Sequence, residues 1–176
     1  EYPTTVNAPI TGLDIHDCDS DGDEDVAVTM SVTAGGFATM VNNGSGNIGG
    51  VVAVNTVDPA TALAGGNVDA GDYGWIVGYG HAGYFDLYAN NGACGASFAG
   101  AIYTTAGTGL TSLAVGTLNG GGNDIVYGTS NTVAVRWLLN ATAPDGNQSS
   151  AGIPVSLRLA DFDGDGDDDA LWIESF

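Results

Sequence analysis

The sequence predicts an all-β chain: a β-propeller-like tandem array of four-stranded blades, three full repeats plus an incomplete fourth. Three observations carry this reading. The 176 residues include 29 glycines and few helix formers, which favours short strands joined by tight turns. Equivalent loop starts recur at Asp17, Asn67, Thr117 and Asp161, at steps of 50, 50 and 44 residues. A second landmark keeps the same phase, because Phe37-Ala-Thr-Met-Val-Asn-Asn-Gly aligns with Phe85-Asp-Leu-Tyr-Ala-Asn-Asn-Gly and with Val133-Ala-Val-Arg-Trp-Leu-Leu-Asn.

Taken in order, each repeat reads as strands around one loop. The first, 12–61, has predicted strands Gly12–His16, Val26–Val32, Phe37–Asn42 and Val51–Val57. Asn-Gly, which closes its third strand, is the favoured hairpin dipeptide. The second repeat, 62–111, offers Ala62–Gly66, Trp75–Gly80, Tyr84–Asn90 and Ala101–Thr105. The third, 112–156, offers Ser112–Leu118, Asp124–Gly128, Thr132–Leu139 and Gly152–Val155, with 141–150 a protruding polar insertion. The fourth, 157–176, holds only Leu157–Phe162 and Ala170–Ile173.

A four-stranded unit of this length has the size of a propeller blade. It cannot bury both faces alone, so the repeats stack into a single domain over 1–176. Phe162 and Leu118, at the second loop position, are candidates for that packing, and Trp75, Trp137 and Trp172 for the core or the blade interfaces. The N-terminal stretch 2–8 could supply an outer strand to the incomplete blade in cis, or in trans to another copy; a longer chain is the third option.

The chemistry is concentrated in two loops. Asp161-Phe-Asp-Gly-Asp-Gly-Asp-Asp-Asp169 places Asp161, Asp163, Asp165, Asp167 and Asp169 at positions one, three, five, seven and nine. Asp17-Cys-Asp-Ser-Asp-Gly-Asp-Glu-Asp25 places Asp17, Asp19, Asp21, Asp23 and Asp25 likewise. Gly166 and Gly22 at position six permit a sharp turn. Two carboxylates about 5 Å apart repel by roughly 3 kcal/mol at an effective dielectric near 20. Several together call for a cation, and hard oxygen ligands on a flexible loop suit Ca2+, with two sites predicted. The backbone carbonyl of Asp167 is a further candidate ligand. An EF-hand is excluded, because position twelve is Val28 or Trp172 where that motif needs Glu, and strands flank each loop. The loops at Asn67 and Thr117 have lost most carboxylates, so Asp69, Asn119 and Asp124 are expected to hold turns.

This strand–loop–strand unit resembles the FG-GAP/VCBS repeats of calcium-binding β-propellers, including those of integrin α-subunits. The matching residues are Leu159-Ala-Asp-Phe-Asp-Gly-Asp-Gly-Asp-Asp-Asp-Ala-Leu and, less closely, Ile15-His-Asp-Cys-Asp-Ser-Asp-Gly-Asp-Glu-Asp-Val-Ala-Val. The resemblance also covers a strand ending in Asn-Asn-Gly. It allows a carbohydrate-binding, lectin-like role, since propellers of this kind occur in such proteins.

The formal charge is −19, with 21 acids against Arg136 and Arg158 and no lysine. Nucleic acid is excluded as a partner for want of a basic surface. No stretch has the length of a membrane span and no signal peptide is visible. Cys18 and Cys94 read either as two buried thiols or as a bridge. In an up-down blade the first–second and third–fourth loops share a face, so a bridge between adjacent blades is allowed. Sequons stand at Asn43, Asn140 and Asn147, all in predicted turns, and make the chain a candidate glycoprotein.

No catalytic constellation is present: His16 and His81 stand apart, and no nucleophile elbow, metalloprotease helix or phosphate loop occurs. The expectation is a non-enzymatic, calcium-binding extracellular structural or adhesion module, secreted or on the cell surface. Self-association into a fibre through the incomplete blade, and binding of glycans or cell-surface proteins, are the expected partner modes. The alternatives are a lectin-like propeller and a non-catalytic domain of a larger secreted protein.

Overall fold

A computed structural model of the chain describes residues 8–19, 21–32, 36–45, 47–56, 58–69, 72–80, 84–90, 94, 96–103, 109–119, 124–130, 134–139 and 143–176. The chain is all-β and propeller-like, built from antiparallel meanders. Blade 1 comprises β1 (Ile10–His16), β2 (Asp25–Met30), β3 (Phe37–Asn42) and β4 (Ile48–Val54). Blade 2 comprises β5 (Ala60–Asp69), β6 (Asp72–Tyr79), β7 (Tyr84–Asn90) and β8 (Ala96–Tyr103). Blade 3 comprises β9 (Leu110–Gly116), β10 (Asp124–Thr129), β11 (Ala134–Leu139) and β12 (Ala143–Ser149). Blade 4 is the pair β13 (Ile153–Ala160) and β14 (Asp169–Ser175). The expected N-terminal strand 2–8 falls, apart from Ala8, outside the described residues.

The third blade corrects the sequence reading. Its outer strand is β12, where a protruding insertion was expected, and Gly152–Val155 is not a fourth strand but the approach to and start of β13. Pro144-Asp-Gly reads as a turn, yet an edge strand tolerates proline because one side needs no ladder donor. β12 accommodates it with a register shift opposite Trp137 and Leu138. The boundary between the third and fourth repeats therefore moves back by a few residues. Asn147 consequently lies in a strand, paired with Arg136, and not in a turn.

The blades stack through one recurring fit. At each of the three junctions, aliphatic residues of one inner strand, β5, β9 or β13, face small residues of the inner strand before it. Leu63 presses on Gly12, where a Cβ would lie 2.9 Å from the leucine Cβ. Val115 fills the space over Gly66, and Leu159 that over Gly116, where a Cβ would stand 2.9 Å from Leu159 Cδ1. Only glycine admits such an approach. Aromatic rings fill the layers farther out. Phe37 of blade 1 meets Trp75 and Tyr88 of blade 2 at 5.7 and 5.3 Å between centroids. Phe85 of blade 2 meets Tyr127 of blade 3 edge-on at 5.5 Å. Leu118 and Trp172 pack against the Ala114, Val126 and Leu157 cluster between blades 3 and 4. Phe162 does not join them; it is exposed, so its expected packing role is corrected. The side chain of Trp137 is outside the described residues.

A buried carboxyl, that of Asp86, sits within the aromatic part of the layer between blades 1 and 2. Asp86 Oδ2 accepts the Tyr79 hydroxyl at 2.5 Å and the Tyr88 hydroxyl at 3.5 Å. Its Oδ1 makes no hydrogen bond. Burial pushes the Asp86 carboxyl up from its ordinary value, against the pull of the two phenols, and nearby Asp58 adds to the rise.

Candidate metal centres

The two acidic loops share a set of backbone-to-carboxylate hydrogen bonds. In the first, Asp17 accepts the N–H groups of Asp21 at 3.2 Å and Gly22 at 3.0 Å. In the second, Asp161 accepts those of Asp165 at 3.2 Å and Gly166 at 3.1 Å. Asp19 and Asp163 each accept the N–H two residues on, at 3.3 and 3.1 Å. Asp21 and Asp165 do the same, both at 3.0 Å. Gly22 and Gly166 hold φ of 95° and 97°, which a side chain disfavours. The position-one carboxylate thus acts as a hub over which the backbone wraps, and the loop closes on itself.

Carboxylate oxygens of Asp17, Asp19 and Asp25 converge within 4.8 Å of one another, and so do those of Asp161, Asp163 and Asp169. Positions one, three and nine are therefore brought together in both loops. Asp21, Asp165, Asp23 and Asp167 stand outside these triads. Partial desolvation, then the like charges of Asp21, Asp25 and Asp17, push the Asp19 carboxyl above its ordinary value, while the N–H of Asp21 opposes the shift. Three hard anionic oxygens at this spacing fit a cation of the calcium class, and nothing in the donor sets is soft or basic.

Position nine does two jobs. Asp25 Oδ2 accepts the Cys18 N–H at 2.9 Å, and Asp169 Oδ2 the Phe162 N–H at 3.1 Å. Asp124, in a loop without the other carboxylates, accepts the Leu118 N–H at 2.7 Å in the same way. The bond to position two is therefore a structural brace of the repeat, available with or without a metal triad. The reading of Asp124 as a turn holder and of Asp25 as a ligand understates this common role.

The disulfide sits against the first loop. Cys18 and Cys94 are joined across 76 positions, tying the β1–β2 loop of blade 1 to the β7–β8 connection of blade 2. Asp25 Oδ2 lies 3.1 Å from each sulfur, a contact without a proton because disulfide sulfurs cannot donate. Thr39 Oγ1 donates to the Cys94 carbonyl at 2.6 Å, which anchors the far side of the bridge.

Sequence reasoning missed three supports of the loops, at Asn42, Gly44 and Asp168. Asn42 donates its N–H to Asp25 Oδ1 at 2.7 Å and its amide to the Glu24 carbonyl at 3.1 Å. Gly44, at φ 68°, lies so close to the Asp23 carboxylate that a side chain there would collide with it. Asp168 in turn reaches from the second loop to blade 3: its Oδ2 accepts the Thr117 N–H at 2.7 Å, and its N–H donates to the Thr117 carbonyl at 2.6 Å. The available signal was the common phase of the loop and Asn-Asn-Gly landmarks, which touch in space.

Other candidates scatter. Asn43 is in an exposed turn, its side chain accepting from the Ser45 hydroxyl at 2.6 Å. Asn140 and His81 are outside the described residues, and His16 lies half-buried in β1. Among the described residues no helix is long and apolar enough to cross a membrane.

No protein-family model and no curated protein matches the chain. Solved structures do. The crystal structure of BBS1N in complex with ARL6DN, soaked with mercury, aligns with TM-score 0.52 at 13% identity, over 98% of this chain and 64% of that one. The same complex soaked with lead aligns with TM-score 0.51 at 14% identity, over 95% and 59%. The BBS1 domain is a β-propeller, and the likeness concerns the fold alone. The chain spans less than two thirds of the length of these neighbours.

Proposed function

We propose that the chain is a calcium-binding structural or adhesion module of the FG-GAP/VCBS kind, working outside cells and without catalysis. One observation carries the reading. Two loops far apart in sequence adopt the same hydrogen-bonded wrap, and each gathers three carboxylates of the same positions. Bound calcium would supply the positive charge that offsets their repulsion. The disulfide at Cys18 and Cys94 favours an oxidising compartment, where calcium is also abundant enough to fill modest sites. Binding to the folded state alone adds about 1.4 to 2.7 kcal/mol per site at roughly ten to a hundred times the dissociation constant. Calorimetric titration of calcium into chelator-treated protein is expected to give two equivalents bound and a raised melting temperature. No heat and no thermal shift at millimolar calcium would remove the metal from the account.

A second reading is protein recognition. It is supported by the neighbouring fold, BBS1N, having been solved with a protein partner, ARL6DN. A blade array offers loop faces of the same general kind, and pull-down with loop-face variants would separate this role from a purely structural one.

A further inference from the structure

The sulfurs of Cys18 and Cys94 and the Oδ2 oxygen of Asp25 form a triangle closed off from solvent. The three residues are 3%, 0% and 2% exposed, and the oxygen stands 3.1 Å from each sulfur. The brace to position two accounts for the carboxylate, as it does at Asp124 and Asp169. It does not account for the sulfurs. Position two is Leu118 in blade 3 and Phe162 in blade 4, whereas blade 1 places a sulfur there and blade 2 brings a second. While bonded to each other the sulfurs donate nothing to the carboxylate, so a buried anion faces electron-rich atoms. Unbonded, the same three atoms are two thiolates and a carboxylate oxygen, a donor set for a thiophilic divalent cation of the zinc class.

The spacing suits such an ion. Zinc takes sulfur at about 2.3 Å and carboxylate oxygen at about 2.0 to 2.2 Å. Tetrahedral angles then set the sulfurs about 3.8 Å apart and each about 3.5 Å from the oxygen. At 3.1 Å the oxygen is about 0.4 Å short of that distance, and each sulfur has to retreat by roughly 0.9 Å from a bond of about 2 Å. Side-chain rotation covers this, because contacts outside the bond hold both backbones. Cys18 sits in the loop wrapped on Asp17 and gives its N–H to Asp25. Cys94 keeps φ of 52° with its carbonyl on the Thr39 hydroxyl. The Asn42 N–H fixes Asp25 Oδ1, as outer hydrogen bonds orient metal-binding carboxylates.

We propose that Cys18, Cys94 and Asp25 make one crosslink in two ways: a disulfide where the chain folds under oxidising conditions, and a zinc-class centre where it folds among reducing thiols. Either form ties the β1–β2 loop to the β7–β8 connection. As each sulfur takes the metal its thiol proton passes to solvent, and no electron is transferred. Three protein donors leave the fourth position to a water. Burial sets the choice at folding, because in the finished fold neither sulfur is open to attack by a thiol. The inference does not rest on calcium in the acidic loops, since its donors are the sulfurs and the one oxygen between them.

Co2+ is the probe. The full chain is unfolded and reduced with a phosphine, which becomes its oxide with oxygen from water while the disulfide gains two electrons and two protons. It is then refolded without air in calcium-free buffer containing Co2+. The expected result is one Co2+ per chain, sulfur-to-cobalt charge-transfer absorption with the visible bands of a tetrahedral ion, and the circular dichroism of the oxidised protein. Zn2+ displaces the colour and shields both thiols from a thiol reagent. The oxidised protein shows no sulfur-to-cobalt absorption, although its acidic loops are the same. Asp25→Asn retains an oxygen for the Cys18 N–H and both thiols, yet binds Co2+ at least about tenfold more weakly, the lower end even for an outer-shell loss. A refolded chain without sulfur-to-cobalt absorption overturns the proposal. So does the absorption in a chain that has not regained its circular dichroism, because the thiols then meet the metal without the fold. Equal affinity in Asp25→Asn overturns the triad. Absence of calcium heat beside an intact cobalt signal removes the metal reading of the acidic loops and leaves this centre standing.

Discussion

Asp25 and Asn42 are joined by a 2.7 Å hydrogen bond in which carboxylate Oδ1 accepts the backbone N–H. The bond ties the first acidic loop to the hairpin that ends β3. With Oδ2 held on the Cys18 N–H, the Asp25 carboxylate is fixed in orientation before any cation arrives. Preorganisation of this sort lowers the cost of gathering like charges, because the loop is not reordered on binding.

Comparing position nine with and without a triad separates brace from ligand. Asp124→Ala leaves the Leu118 N–H without its partner and is expected to cost about 1 to 3 kcal/mol, with calcium stoichiometry unchanged. Asp25→Ala is expected to lower stability and also to reduce the bound calcium from two equivalents to one. Thermal melts paired with calorimetry read both; equal calcium loss in the two variants would contradict the division.

The blade architecture was legible because its signals are periodic. Loop starts and Asn-Asn-Gly turns repeat in phase, and each strand run is short. The acidic positions were legible because a carboxylate at every second residue has few structural uses. The supports were not. Asp168 looks like one more acid in a run, and only the stacking of blade 4 on blade 3 gives it Thr117 as a partner. β12 was hidden by Pro144-Asp-Gly, whose local preference for a turn yields to pairing with β11 at the sheet edge. Phe162 was misjudged because its loop position was read as packed in every blade, whereas only Leu118 of the two meets a described neighbouring blade.

The glycine notches make a prediction about the junctions. A Cβ at Gly66 would collide with Val115 Cγ1 and stand 2.8 Å from Val115 Cβ. Gly66→Ala is expected to destabilise by about 1 to 3 kcal/mol through overpacking. Val115→Ala in the same chain removes the Cγ1 clash and recovers part of that loss, the Cβ contact remaining. A denaturant double-mutant cycle should show coupling above about 0.5 kcal/mol, whereas strict additivity would place the two residues out of contact.

The disulfide closes a span of 76 positions. On the chain-entropy model such a loop is worth up to about 4.5 kcal/mol. Cys18→Ala with Cys94→Ala is expected to lose a large share of this and to melt well below the wild type. Reduction of the wild type should cost less, because each freed thiol can donate to Asp25 Oδ2, which already lies 3.1 Å away. Melting curves of the oxidised, reduced and double-alanine proteins give the order; a reduced protein less stable than the double-alanine variant would reverse the argument.

Asp86 gives a pH signature of definite sign. Burial raises its carboxyl in the folded state above the unfolded value of 3.8, although the Tyr79 and Tyr88 hydroxyls pull it down. The folded state therefore holds this proton more tightly than the unfolded chain. Its contribution is fully present below pH 3.8 and is lost as pH rises through the folded value, leaving an ionised carboxylate with one orphaned oxygen. Asp86→Asn keeps an acceptor for Tyr79 and cannot ionise. Its stability relative to the wild type is expected to increase as pH rises from about 4 towards neutrality, and to level off once Asp86 in the wild type is ionised. Taking the difference between the two proteins at each pH cancels the titration of the acidic loops, which both share. Chemical denaturation at constant calcium measures it, and a difference that is flat with pH would mean that Asp86 keeps its ordinary value in the fold.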